Sequence, residues 1–410
     1  MTDKLPRGVF VLAGARMLAG IGGSMVILAL TRAVDDATTA FDLAPNTRLG
    51  LVVSVFGFLL AGAQPFVGAI GDRVGRRPLL IGGMAAFATV SLLMTFATRY
   101  EALLGLRGLQ GLALACTVPT SLAVIAALVP AQRRGRAMGT YATARMLGFG
   151  VGPLIGGAVL DAAGTTTTFL AAVIPGVIAA ALVTFALDEP PALGRVKSDD
   201  DEAPVETRTL PFLALSSAFF IIAICVSLLV ALEQTFTDRL QITAFEFSIA
   251  FSALVFARLV SDATIGRWSD TGDRRRWIVV GLVLMAPSTA ACAWAPTIEW
   301  LTAARVAMGV SMACIASPAF ALVGDLVERG IGSGSSVGLV TAGFGAGLGV
   351  GPLGAAILAD RVGFEVPFVV CAALSLVIAA VVPALVPRLE PRPSTPERAG
   401  SGDLPKQAAP

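Results

Sequence analysis

The chain contains no histidine and few charged residues. Asp, Glu, Lys and Arg make up 14% of its 410 residues, whereas a soluble domain has about 25%. Without histidine, Ser-His and Cys-His catalysis and the common histidine-based zinc sites are excluded. The sequence has no phosphate-binding P-loop, which argues against ATP-driven pumping by this chain alone and, together with the absence of histidine, against a polytopic membrane enzyme.

Cysteine and net charge are also low. Every cysteine falls singly in an apolar run, without a CxxC pair, so we interpret them as small core residues rather than disulfides or metal ligands. The net charge of +2, with no basic arm, argues against a nucleic-acid partner. We expect no metal site and no cofactor. The cysteines are Cys116, Cys225, Cys292, Cys314 and Cys371.

Long apolar runs are what the sequence has in abundance. Hydrophobic residues make up 55% of the chain, with a mean hydropathy of +0.80. A helix needs about 20 apolar residues to cross a bilayer. Because backbone polar groups that face lipid must be hydrogen-bonded within the protein, continuous apolar runs of this length must be helical. The second run, with Gln64 and Pro65, and the eighth, with Arg258 and Asp262, are the least apolar. The sequence predicts an all-α polytopic membrane protein with twelve spans, at roughly 8–33, 49–70, 78–98, 101–129, 137–160, 166–187, 210–232, 244–266, 277–295, 298–322, 334–358 and 364–387.

The distribution of basic residues predicts the orientation. Cytoplasmic loops are enriched in Lys and Arg. With both termini inside, the cytoplasmic segments hold 20 of the 30 basic residues and the opposite loops hold five. We therefore expect a multi-pass protein of the cell membrane with cytoplasmic N- and C-termini. The five residues are Arg32, Arg48, Arg99, Arg239 and Arg361.

The two halves of the chain repeat each other. Matching residues keep one register that slips by a single residue, which indicates parallel repeats with a substrate site between them. We expect six-helix bundles at 1–188 and 210–387, an acidic linker at 189–209 and a disordered tail at 388–410. The matches at a separation of 198 are Asp72/Asp270, Arg76/Arg274, Arg107/Arg305, Gly111/Gly309 and Cys116/Cys314, and those at 199 are Gly152-Pro153/Gly351-Pro352 and Asp161/Asp360.

A charged, glycine-containing stretch after the second run has the pattern G-x-x-x-D-R-x-G-R-R. In it the chain resembles the major facilitator superfamily, and the resemblance covers almost the whole sequence. It implies a latch that holds the two halves in one access state, whereas a plain basic turn would explain the arginines alone. The latch residues are Gly68, Asp72, Arg73, Gly75, Arg76 and Arg77, with Asp270 and Arg274 in a degenerate second copy.

The fourth run holds an arginine within its apolar sequence, LLGLRGLQGLALA, with Arg107, Gln110 and Gly111. Arginine inside a bilayer costs about 2.5–3.5 kcal/mol on insertion scales and should face a cavity or a partner. The resemblance to antiporters implies a role in proton coupling. The alternative is an arginine that snorkels to the interface, and Arg305 in the second half has the same two interpretations.

The fifth run contains GFGVGPLIGG, in which the proline removes a backbone hydrogen bond and glycines spaced four apart form a flat packing face. Within the resembled family, this form is characteristic of antiporters that exchange drugs for protons. Generic small-residue packing is the alternative. The first run departs from many such antiporters, since it has no proline and Arg16 is its only mid-span charge. The motif residues are Gly148, Gly152, Pro153, Gly156 and Gly157.

Seven charges in or beside the runs could bind substrate or protons. Arg258 and Asp262 stand four apart and can pair on one helix face, and the end of the seventh run could simply be solvated at Glu233. We expect proton-coupled efflux of small amphiphilic molecules by a monomeric secondary transporter. The excess of arginine leaves a proton-coupled symporter or exchanger of an organic anion open, and a transport-inactive sensor or scaffold is a third class. The charges are Arg16, Arg107, Arg145, Arg258, Arg305, Glu233 and Asp262.

Overall fold

The computed structural model describes residues 5–188, 209–270, 272–331 and 334–388. These residues are almost entirely helical. The helices are α1 (Arg7–Asp36), α2 (Pro45–Val74), α3 (Arg76–Met94), α4 (Tyr100–Ala115), α5 (Val118–Leu128), α6 (Ala131–Ala186), α7 (Thr209–Ala231), α8 (Glu233–Leu240), α9 (Ala244–Asp270), α10 (Arg274–Ala293), α11 (Ile298–Glu328), α12 (Gly334–Arg361) and α13 (Val366–Leu385).

Eleven helical segments in the described part of the chain are long and apolar enough to cross a membrane. One of them, within α6, has a break in its helical backbone at Gly164, where φ is 79° and ψ is −179°. A straight helix of 56 residues would be about 84 Å long, nearly three times the thickness of a bilayer core. The break divides α6 into two spans, so the prediction of an all-α polytopic fold with twelve spans is confirmed.

Two local features differ from the expected helices. The fourth span is split into α4 and α5 around Cys116 and Thr117, because Pro119 at the start of α5 cannot donate the helical hydrogen bond. The segment after α7 forms the short helix α8, which was not predicted because its eight residues are mostly polar. Several spans also extend beyond their apolar runs; α9, for example, continues to Asp270.

The first six spans and the last six form two bundles that pack against each other. Within the bundles, α1 packs along α6 and α7 packs along α12. Between them, α2 contacts α12 and α6 contacts α9. Every residue from Ile221 to Ala231 of α7 is buried, as expected for a helix that is hydrophobic on all sides.

The molecule has two ends that differ in charge. We call the end with the α2–α3 turn at Gly75 and the start of α10 at Arg274 the basic face. We call the opposite end, with segment 37–44 and helix α8, the acidic face. The linker predicted at 189–209 lies outside the described residues except for Thr209, which begins α7. The tail predicted at 388–410 also lies outside them, apart from Arg388.

Candidate functional site

Arg107 is buried inside the first bundle and reaches neither face. Its side chain is 2% exposed, and its Nη1 donates to Gln110 Oε1 at 2.7 Å. Gln110 Nε2 in turn donates to Ser91 Oγ at 2.8 Å. The guanidinium carbon lies 4.2 Å from the centre of the Phe56 ring, a cation–π contact. Gly111 allows this approach of α2, since a Cβ there would lie 2.6 Å from the Phe56 carbonyl oxygen.

Arg305 occupies the equivalent position in the second bundle and is completely buried. Its Nη1 lies 3.3 Å from Met308 Sδ, and its guanidinium carbon lies 5.7 Å from the centre of the Phe251 ring. Sulfur is a weak acceptor, and no hydrogen-bond partner is found for Arg305 Nε or Nη2 among the described residues. The two repeats therefore bury the same arginine with different polar support.

Three arginines and one aspartate form a central cluster where the bundles meet, about halfway along α9. Arg258 Nε lies 3.5 Å from Asp262 Oδ2 on α9. Arg145 of α6 lies within electrostatic range of both, and of Arg16 of α1, which is 9% exposed. Asp262 interacts with Arg258 and Arg145, and Arg16 interacts with Arg145, so the cluster of one carboxylate and three guanidinium groups has an excess of positive charge. Such a site can bind an anion, or change its net charge when Asp262 is protonated.

The acidic face is closed by two aspartates in equivalent positions of the two repeats. Asp161, in α6 of the first bundle, accepts hydrogen bonds from the Ala244 and Phe245 amides at 3.2 and 2.8 Å. Asp360, in α12 of the second bundle, accepts a hydrogen bond from the Thr47 amide at 2.8 Å. Each carboxylate thus caps the first turn of a helix in the other bundle, an interaction that is charge-assisted.

Glu233 lies close to this closed face, at the first residue of α8 and outside the spans. The side chain is 4% exposed, and Oε2 has no hydrogen-bond partner among the described residues. The alternative prediction, that Glu233 is only a solvated residue at a helix end, requires an exposed side chain and does not agree with this burial. Loss of hydration raises the pKa of Glu233 to about 7.

The internal repeat also appears in comparison with known families. A family model described as the Major Facilitator Superfamily matches the chain twice, at residues 12–231 and 212–409. The chain belongs to the major facilitator superfamily. Members of this superfamily are membrane transporters rather than enzymes.

Two similar proteins are named for multidrug efflux or multidrug resistance. The multidrug efflux pump LfrA of Mycolicibacterium smegmatis is 35% identical over 164 residues, 40% of this chain and 32% of its own length. The multidrug resistance protein MdtG of Serratia proteamaculans is 35% identical over 163 residues, 40% of this chain and 39% of its own length. The chain therefore matches only about a third of LfrA and two fifths of MdtG.

The fold also resembles a solved superfamily structure. The human organic anion transporter MFSD10 superposes with a TM-score of 0.66 over 92% of this chain and 99% of that chain, at 19% sequence identity. At this identity the similarity concerns the fold alone.

The glycines of the fifth-run motif serve two different contacts. Gly148, Gly152 and Gly156 face α1, where a Cβ on Gly156 would lie 2.9 Å from Met25 Cα. Gly157 instead faces α9 of the other bundle, where its Cβ would lie 2.8 Å from the Ala244 carbonyl oxygen. Pro153 lies within α6 without ending it. The motif joins α1 to α6 and also brings the two bundles together at the acidic face.

The predicted latch residues of the first bundle lie at the basic face. Gly75 has φ of 95°, which favours glycine at this turn. Arg76 Nη1 donates to the Ala123 carbonyl at 3.5 Å, and Arg77 Nη2 donates to the Thr184 carbonyl at 2.7 Å. These bonds connect α3 to α5 and α6 within the first bundle, and Arg73 is exposed. The side-chain surroundings of Gly68 and Asp72 lie outside the described part.

In the second copy of the latch, Arg274 pairs with Asp270 at 3.0 Å and also with Asp325 of α11. Arg275 Nη1 donates to the Pro383 carbonyl at 2.8 Å, near the end of α13. These contacts hold neighbouring helices of the second bundle together. A latch between the two bundles remains a prediction.

Sequence reasoning identified the charges of the central cluster and the pairing of Arg258 with Asp262, but not the approach of Arg145 and Arg16. It missed Asp161 and Asp360 as closing residues, although their equivalent positions in the two repeats are visible in the sequence. That equivalence is a signal for a paired role, since each aspartate follows a glycine-rich span. The groups that donate to these aspartates could not be identified because they lie in the other bundle.

Proposed function

We propose that this transporter exports small amphiphilic molecules in exchange for protons, by alternating access between its two faces. The central cluster is the observation on which the proposal depends. Asp262 is its one carboxylate, and it pairs with Arg258 beside Arg145 and Arg16. Protonation of Asp262 removes a negative charge among three positive ones, so the contact between α9 and the α1–α6 pair weakens.

The partial similarity to multidrug transport proteins supports export of such molecules. LfrA and MdtG each match 40% of this chain at 35% identity. Within the proposal, protons entering through Asp262 compete with substrate for the cluster. Arg107 does not reach the central cluster, because its Nη1 donates to Gln110 within the first bundle. Within the proposal, it therefore acts indirectly, by maintaining the packing of that bundle.

We propose that the acidic face is extracellular and the basic face cytoplasmic, in the cell membrane. The predominance of arginine at the basic face supports this orientation. The bundles at 1–188 and 210–387 then move as two units of a monomer, joined by the segment 189–209. The predicted latch residues would release as the basic face opens.

A second candidate, exchange or symport of an organic anion with protons, is favoured by the positive excess of the cluster. The guanidinium group of arginine binds carboxylates and phosphates well, because it can donate two parallel hydrogen bonds to them. The fold similarity to an organic anion transporter does not by itself identify the substrate. The sign of the substrate charge therefore separates the two candidates.

A proteoliposome assay with an imposed pH gradient tests both. We expect cationic or neutral amphiphiles to move against the proton flux, and Asp262→Asn to abolish this exchange while the purified variant stays monodisperse. Asp42→Asn, on an exposed loop residue, is the matched control and should exchange at the wild-type rate. Exchange by Asp262→Asn at the wild-type rate would contradict the proposal. Anions moving with the protons would favour the second candidate.

A further inference from the structure

A pocket of about 720 Å³ lies at the acidic face, between the two bundles. Its wall is formed by the end of α1, the part of α6 that follows the break at Gly164, helix α8 and the start of α9. Four of its lining side chains are acidic and one is basic: Asp35, Asp36, Glu233 and Asp238 against Arg32. Neither the central cluster nor the predicted latch includes this pocket.

Glu233 differs from the other acids of the pocket in its burial. Asp35 and Asp36 are exposed, whereas Glu233 is 4% exposed. The Thr31 hydroxyl of α1 is beside its carboxyl group, and Oε2 has no hydrogen-bond partner among the described residues. A buried ionised carboxylate without a full set of donors is costly, and a protonated one is not.

The charges that face Glu233 do not neutralise it. Arg32 and Asp35 approach from α1 and Asp161 from α6, while Asp36 and Asp238 line the same pocket. Arg32 is half exposed and lies 3.4 Å from Asp161, so its charge is already shared. The balance of neighbours is therefore acidic and favours the neutral form of Glu233.

We infer that Glu233 is a proton-binding site that controls the acidic face, taking up a proton from the solution on that side as the face closes. This inference rests on the proposed opening of the acidic face during transport, but it does not require that transport be coupled to protons.

Helix α8 connects Glu233 to both closing aspartates. At its start, Glu233 lies in the pocket beside Arg32, which pairs with Asp161. Two residues later, Thr235 Oγ1 donates to Asn46 Oδ1 at 2.9 Å, and Asn46 Nδ2 donates to Asp360 at 2.8 Å. Water can reach the Glu233 carboxylate if α8 moves, and that movement would disturb the contacts of Asp161 and Asp360 together.

The direction of the pH effect follows from burial. Closure raises the pKa of Glu233 from its ordinary value of 4.5 to about 7, and hydration in the open state returns it toward the ordinary value. The closed face is therefore favoured at acidic pH, and it loses this advantage as the pH rises through about 7. The proton returns to the side from which it came, so Glu233 is separate from the proposed proton carrier, Asp262.

Distance measurements between spin labels at the acidic face test the inference without any substrate. The labels go on Ala40→Cys in the first bundle and Pro296→Cys in the second, both exposed positions, in the full chain reconstituted in nanodiscs. We expect the long-distance population of the otherwise wild-type protein to increase at least tenfold between pH 5 and pH 9. Glu233→Gln, which resembles the protonated acid, should stay closed throughout.

Two further variants separate the proton site from general effects. Glu233→Asp retains a carboxyl group and should retain a pH response. Asp35→Asn removes an exposed acid from the same pocket and should retain the response with a small shift in midpoint. The inference is overturned if Glu233→Gln keeps the wild-type pH response, or if the wild-type distances do not change with pH. If no proton-coupled export is found in liposomes, the proposed function fails, but the pH-dependent distances expected here remain a separate test of Glu233.

Discussion

At the scale of the residue, a fully buried guanidinium must find its partners within its own bundle. Arg107 does so through Gln110 and the face of Phe56. Arg305 has the same position in the second repeat but contacts sulfur and a more distant ring. The first bundle is therefore the better place to test whether a buried arginine contributes to transport.

We expect Arg107→Ala to abolish coupled transport and to lower the free energy of unfolding by about 1–3 kcal/mol, because Gln110 is left with an unpaired buried oxygen. Liposome transport and thermal unfolding of the purified protein measure the two effects. Arg99→Ala is the control, since its exposed side chain pairs with Glu101 at 3.5 Å and should change neither. Wild-type transport by Arg107→Ala would show that the buried charge is dispensable.

At the scale of the element, two helix pairs close the acidic face, and each closes by the same means. A small residue permits close approach, and an aspartate one turn later caps the opposing helix. In α6 these are Gly157 and Asp161, opposite α9. In α12 they are Ala356 and Asp360, opposite α2. The crossing depends on helix backbones being close enough for a carboxylate to reach the first-turn amides.

Gly157→Ala should destabilise the closed acidic face by about 1–3 kcal/mol, because the added methyl group meets the backbone of Ala244 and Phe245 rather than a mobile side chain. The expected result is faster modification of a cysteine placed at buried Ser248 by a membrane-impermeant maleimide. Gly354→Ala on α12 is the control, since its Cβ would have nothing within 4 Å. Equal modification rates in the two variants would contradict the close-packing explanation.

At the scale of the whole molecule, the separation of charge between the two faces predicts the orientation in the membrane. In intact cells we expect Ala40→Cys to react with an impermeant maleimide and Arg134→Cys to react only after permeabilisation. The unmodified chain is the control, since four of its cysteines are buried and Cys116 is half-buried. The reverse pattern would invert the proposed orientation.

Much of the architecture could be predicted because the bilayer imposes a length on every apolar run. Even the second run, with Gln64 and Pro65, forms a continuous helix in α2. Helix α8 could not be predicted from apolar runs, because its eight residues are mostly polar and their position depends on contacts with Asn46.

The site was less predictable, because its contacts join residues far apart in the sequence. Arg258 and Asp262 could be paired by helix periodicity, and their salt bridge is present. The approach of Arg145 and Arg16 depends on how the two bundles meet, which no local pattern determines. The burial of Glu233 likewise depends on α1 and on the fold of α8.

The two crossings at the acidic face have one further consequence. Opposite Gly157 stands Ser248, whose Oγ lies 3.0 Å from the position of an added Cβ, and opposite Ala356 stands Gly50. The glycine of each crossing therefore lies on opposite partners in the two repeats, on α6 in one crossing and on α2 in the other. What each crossing constrains is the combined volume of two facing residues. Sequence divergence between the halves can therefore exchange the smaller residue across a contact and leave the spacing of the helices unchanged.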